Sequence, residues 1–241
     1  MLDVLTYALV GALVLILIVC LSIATYSGSQ FLDTYKSLKK RPASSFTVAS
    51  DFVLKASIMY AGAKVKLAKK SGEFGDCYQP KSKTIVLCEE TYSSSSIASL
   101  TVASHEMGHA LQDIENPQML LKKHKFSKLS KTLGRFMMPS FVVGLLFLIF
   151  SKSIVYSACF FAFSIAIFVF ALVVKGMQIK IEKDASKRAL KLLKQMQMLD
   201  EEELKLSKKL LSDALLTYVA DLLQAVLGWT LLTRKTKIFG D

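Results

Sequence analysis

The stretch Val102-Ala-Ser-His-Glu-Met-Gly-His-Ala-Leu-Gln112 places His105 and His109 four residues apart around a glutamate. On an α-helix, residues four apart share one face. Both imidazoles can therefore bind one ion, and Glu106 can reach a water held there. With three His and nine Glu in 241 residues, a chance His-Glu-x-x-His arises in about one such sequence in a thousand. Packing gives no reason to gather two of three histidines in one motif.

Outward from the motif, the run Ser93-Ser-Ser-Ser96 reads as the loop and N-cap of a helix over residues 97–114. Asn116-Pro117 ends it, because a proline ring disfavours helical geometry in the preceding residue. Upstream, residues 83–88 read as a short strand of β-branched and apolar residues. That strand fits an ordinary internal position, or one that pairs with an extended substrate by β-augmentation. The rest of residues 33–92 is mixed, short helices and strands forming a small soluble subdomain on the membrane.

A hydrophobic content of 52% and positive mean hydropathy put part of the chain in lipid. Residues 7–26, 136–150 and 154–174 are charge-free apolar runs, and the first and third reach the roughly 20 residues that cross a bilayer core. The first lacks a basic n-region and is followed by Lys36, Lys39, Lys40 and Arg41, the pattern of a retained anchor with its N-terminus outside. Of 31 basic residues, 17 lie in 27–135 and nine in 176–212, so both regions are expected at the cytoplasmic face of a multi-pass cell-membrane protein. Residues 213–232 either cross or lie at the interface, turning a polar stripe of Asp213, Thr217, Asp221, Gln224 and Gly228 away from lipid, where it is expected to line the active-site cavity. The basic tail holds Arg234, Lys235 and Lys237.

A catalytic zinc needs a third protein ligand and an open position. A metzincin would carry a further His six residues after His109, but position 115 is Glu115. Glu182, in Glu182-Lys-Asp-Ala-Ser186, sits just past the third apolar run, where two crossings return the chain to the face of His105. Asp184 is two residues away, about 200 degrees around a helix, so both cannot face one ion. Asp184, Ser186 and Asp113 are candidates to orient the ligands. His124, within Lys122-Lys-His-Lys125, reads as part of a solvated basic face. Tyr78, Tyr92 and Tyr218 are candidate oxyanion partners. A helix is expected to run on through Met198, and Asp200 with Glu203 to form a capping box for the next.

These roles describe hydrolysis by a metal-activated water with Glu106 as general base. The net charge of +12 lies beside the apolar runs without interleaved aromatics, which argues against nucleic acid and for orientation and anionic lipid. Cys20 and Cys159 fall in apolar runs, and Cys77 and Cys88 are expected as free thiols on the cytoplasmic side. A catalytically silent membrane scaffold with a structural zinc is the competing reading. Glu106 argues against it, since a structural site needs no base and fills its fourth position. Spans almost free of ionisable residues argue against a metal-ion carrier.

The chain also resembles the YugP-like family of neutral zinc metallopeptidases of bacterial membranes. The resemblance rests on the anchor, Gly75-Asp-Cys-Tyr-Gln-Pro80, the motif run, the apolar hairpin and Glu182-Lys-Asp-Ala-Ser186. It implies Glu182 as the third zinc ligand, from the first glutamate of an ExxA[DS] signature. The family pattern has His and Asp where this chain has Cys77 and Gln79. The expected fold class is a mainly α integral-membrane protein with a zincin-like His-Glu-x-x-His helix, a short strand segment in a cytoplasmic subdomain, and three to four membrane helices. Its parts are an anchor (7–26), a cytoplasmic subdomain (27–135), a membrane hairpin (136–175), a helix carrying the third ligand (176–212) and an amphipathic or membrane helix (213–232). Zn2+ is the expected cofactor, a polypeptide the substrate and the lipid bilayer the partner.

Overall fold

A computed structural model of the chain describes residues 2–72, 75–151 and 153–226. It is mainly helical, with one small sheet. The order is α1 (Leu2–Lys39), α2 (Ala49–Ala61), β1 (Lys66–Lys70), β2 (Cys77–Gln79), β3 (Thr84–Cys88), α3 (Glu89–Ser93), α4 (Ile97–Glu115), α5 (Pro117–Leu146), α6 (Ile154–Gln195) and α7 (Glu201–Val226), with a π-helical turn Phe147–Ser151 after α5.

The motif helix α4 starts where its cap predicts: Ser96 accepts the Ser99 N–H through its side chain. Ser93 belongs to the short α3 instead of the loop. Pro117 opens α5 at its first turn, a position where the missing proline N–H costs nothing. Only a cap residue therefore separates α4 from α5.

Around α4 lies the apolar core. Phe31 and Leu38 of α1, Phe52 and Val53 of α2, Leu100 and Met107 of α4, Leu193 of α6 and Leu210 of α7 are all buried in it. Thr101 of α4 also donates to Ser207 of α7 at 2.9 Å. The sheet has strand order β1-β3-β2, with β1 parallel and β2 antiparallel to β3. β3 is thus paired on both sides, which rules out strand addition of a substrate along Thr84–Cys88. Its near-continuous apolar sequence reports burial, and burial here comes from being central.

α5 and α6 form a long hairpin. Both Pro117–Ser151 and Ile154–Gln195 are long and apolar enough to cross a membrane. Ser140 donates to the Phe160 carbonyl at 3.0 Å and Ser164 to the Met137 carbonyl at 3.1 Å. A side chain on Gly144 would strike the Phe161 ring. Small residues and hydroxyls at the seam are how helices associate where solvent supplies no hydrophobic drive. The boundary expected at 135/136 falls inside α5, a single continuous helix.

α6 ends at Gln195, short of the expected Met198. The chain turns at Gln197, whose φ is +54°, and the buried Leu199 leads into α7. The capping box forms as read: Glu203 N–H donates to Asp200 Oδ1 at 2.8 Å and Asp200 N–H to Glu203 Oε2 at 3.0 Å. On α7, Asp213 accepts from Thr34 of α1 at 2.7 Å, and Asp221 lies 3.9 Å from Lys175 of α6. The stripe faces neighbouring helices at these two positions. Gly228 and the basic tail lie outside the described residues, as do most side chains of the expected anchor.

Candidate metal centre

His105, Glu106 and His109 share one buried face of α4, and Glu182 of α6 meets them there. Glu182 Oε2 lies 3.2 Å from His105 Nε2 and 3.3 Å from His109 Nε2. Donors 2.0–2.1 Å from a tetrahedral ion are about 3.3 Å apart. The two edges from the carboxylate oxygen to the ring nitrogens therefore match those of a tetrahedral zinc site. Ligand atoms of the three residues all lie within 4.8 Å of one another.

Close helix approach makes this possible. A Cβ on Gly108 would lie 2.5 Å from the Ala185 carbonyl oxygen. Any larger residue at 108 would push α6, and with it Glu182, away from the histidines. Glycine in the motif and alanine in Glu182-Lys-Asp-Ala-Ser186 are thus two halves of one packing contact.

The hydrogen bonds also settle which nitrogen of His109 faces inward. Gln112 Nε2 donates to the Ile181 carbonyl at 2.9 Å and to Asp184 Oδ2 at 2.8 Å. That orients the amide so that its oxygen points at His109 Nδ1, 2.9 Å away. Nδ1 must carry the proton, so Nε2 presents a lone pair to the site. For His105, Ser186 Oγ stands 3.4 Å from Nδ1.

Glu106 is buried, and its Oε2 accepts the Tyr78 backbone N–H at 2.7 Å. The outer edge of β2 therefore holds the glutamate. Burial pushes its carboxyl up to about 8, with Glu182 and Asp76 adding to the rise against His109 and the Tyr78 N–H. Glu182 behaves oppositely. Burial disfavours its charge, but His109, Lys123 and hydrogen bonds to both histidines hold it well below the usual carboxylate range. One glutamate is set as an anionic donor, the other as a group able to hold a proton near neutrality.

The other sequence candidates fall in three places. Asp184 touches Gln112, and through it His109; it also accepts from Arg188 at 2.7 Å, which clasps Glu115 with two further bonds. Ser186 is beside His105. Asp113 is not against a ligand: it accepts from the Tyr78 hydroxyl at 2.7 Å and pairs with Lys83, tying β2 and β3 to α4. The Tyr78 hydroxyl is engaged by that carboxylate, and Tyr92 lies beneath Lys69. Neither Cys77 nor Cys88 is in a disulfide among the described residues, and Cys88 joins Thr91 around the buried Asp76.

Gln112 and Lys123 are the residues the sequence did not single out. Gln112 carries a signal in hindsight: it follows His109 by three residues, on the same helix face. Lys123 sits in a run, Lys122-Lys-His-Lys125, whose sequence reads as a solvated basic face.

Fold and site together define a class: a mainly helical chain with two helices able to cross a membrane and a buried His, His, Glu group able to hold a metal ion. The chain belongs to the family described as "Putative neutral zinc metallopeptidase", which matches residues 9–234. Zinc is accordingly its cofactor, and the donor set fits it. Among curated relatives, the chain is 31% identical over 150 residues to the "Putative membrane protease YugP" of Bacillus subtilis (strain 168), covering 62% of this chain and 63% of that protein. The match thus spans less than two thirds of the relative. No solved structure matches.

Proposed function

We propose that the protein is a membrane endopeptidase that hydrolyses peptide bonds of membrane or membrane-proximal proteins, with His105, His109 and Glu182 as zinc ligands and Glu106 as general base. The observation that carries this is the convergence of three donor atoms from two helices with a buried glutamate beside them. Zinc bound there would supply Lewis acidity towards a water and a scissile carbonyl. Gln112 and Asp184 keep His109 in the tautomer that donates through Nε2. Ser186 steadies His105. Glu106, held by the Tyr78 N–H, takes a proton from the attacking water and passes it to the leaving amine. Among the described residues three side chains converge on the centre, which leaves a position open and favours a catalytic over a structural metal.

The layout we infer around this site is the zincin-like helix in a cytoplasmic subdomain, an N-terminal anchor, the α5–α6 hairpin in the bilayer and α7 crossing or lying at its surface. The basic residues flanking the apolar runs support that orientation. Two measurements test the proposal. Glu106→Gln in detergent-purified protein should retain zinc while cleavage of an unfolded test substrate falls by about 10²–10⁴-fold; undiminished cleavage refutes the mechanism. A cysteine replacing the exposed Lys64, on a background without native cysteines, should resist an impermeant thiol reagent in whole cells. Ready labelling there reverses the orientation.

A further inference from the structure

We propose that Lys123 is a positioning residue for this centre: its ammonium holds the second carboxylate oxygen of Glu182, so that the ligand coordinates through Oε2 alone. The inference rests on the reading of His105, His109 and Glu182 as zinc ligands. Glu182 divides its two oxygens cleanly. Oε2 faces both histidines at 3.2 and 3.3 Å, while Oε1 accepts from Lys123 Nζ at 2.7 Å.

Helical geometry sets Lys123 apart from its neighbours. Lys122, His124 and Lys125 are exposed, whereas the Lys123 side chain keeps 12% of its surface. It falls on the stripe of α5 that includes Leu120 and Ser127 and packs on α6. One turn on along α5 and one turn back along α6, Gln178 Nε2 donates to Ser127 Oγ at 3.0 Å, so the Lys123 and Glu182 pair is one rung of a repeated α5–α6 register. Burying an ammonium is costly unless it is paired. Solvation alone would turn this lysine outward like the others in its run. Its inward placement is explained by the carboxylate it meets.

The chemical consequence lies in the metal's coordination. A carboxylate with both oxygens free can bind an ion through one or two of them; a fixed cation on one leaves a single donor and preserves an open position for water. Because Lys123 stands on α5, it also links the ligand to the first arm of the apolar hairpin.

The test uses full-length protein in detergent, with zinc affinity measured by competition against a chromophoric chelator and coordination followed by the visible spectrum of the cobalt-substituted form. Lys123→Met should weaken zinc binding by about tenfold and change the cobalt spectrum, while Lys123→Arg, which keeps a cationic donor, should recover most of both. Thermal unfolding of the chelator-treated variants checks that they fold; Lys123→Gln replaces the methionine variant if that one does not. Wild-type affinity and spectrum in Lys123→Met, alongside lost zinc in Glu182→Ala, overturn the role of Lys123 and leave the metal centre standing. Wild-type zinc binding in Glu182→Ala overturns the centre itself.

Discussion

The two ends of α6 are built for different surroundings. In its first half Ile154, Val155, Ile165 and Val173 are exposed, Ile154 to 74% and Ile165 to 61%, whereas Glu182 in its second half is 3% exposed. A helix wholly in water would put its carboxylates outside and its isoleucines inside. Inverted exposure at one end and a buried, fully partnered polar group at the other are consistent with one helix that runs from lipid into a protein core. The lesson is that α6 acts as a lever: its apolar half sets where the chain returns, and its polar half delivers a carboxylate to α4.

The sharpest break between the two ends comes from removing that carboxylate. Glu182→Ala should weaken zinc binding by more than about 100-fold, whereas Asp184→Ala, which acts only through Gln112, should cost about tenfold; equal losses in chelator competition would erase the distinction drawn between them. At the apolar end, Ile165→Lys should raise the cost of membrane insertion by about 2.5–3.5 kcal/mol. Lys191→Leu, on the other half of the helix, should change stability by less than about 0.5 kcal/mol. Carbonate extraction and a glycosylation-acceptor insertion assay read the first, thermal unfolding the second.

A glycine pair sharpens the contrast further. Gly108→Ala should destabilise by about 1–3 kcal/mol, because the new methyl meets the Ala185 backbone. Gly134→Ala on α5 has nothing within 4 Å and should stabilise by about 0.5–1 kcal/mol. Unfolding midpoints in detergent that move the same way for both would refute the close approach. The cap of α4 is a local counterpart to that close approach: Ser96→Ala removes the acceptor of the Ser99 N–H and should cost about 1 kcal/mol, measured as the same midpoint with zinc present and absent.

Several local features were legible directly. The cap at Ser96, the stop before Pro117, the capping box at Asp200 and Glu203, and the apolar hairpin each depend on residues within one turn or one run of chain, where periodicity and backbone chemistry act. Partnerships across distance were read less well. Asp113, a plausible neighbour of His109 by spacing alone, turns to Tyr78 and Lys83, since helix rotation rather than sequence proximity selects its face. Thr84–Cys88 reads the same whether central or at an edge, because β-pairing is decided by what lies alongside.

By itself, the sequence determined the two imidazoles and the glutamate between them, since a four-residue spacing on a helix has one geometric outcome, and it determined which runs are too apolar for water. Only the tertiary structure decided that Glu182 meets those imidazoles at ligand distance, that Gln112 orients His109, and that one lysine of a basic run turns inward. The contacts of Glu182 with the histidines and Lys123, and those of Gln112 with Ile181 and Asp184, join residues some 60 to 80 positions apart, and α6 meets α4 because Gly108 lets it approach closely enough for side chains of ordinary length to touch.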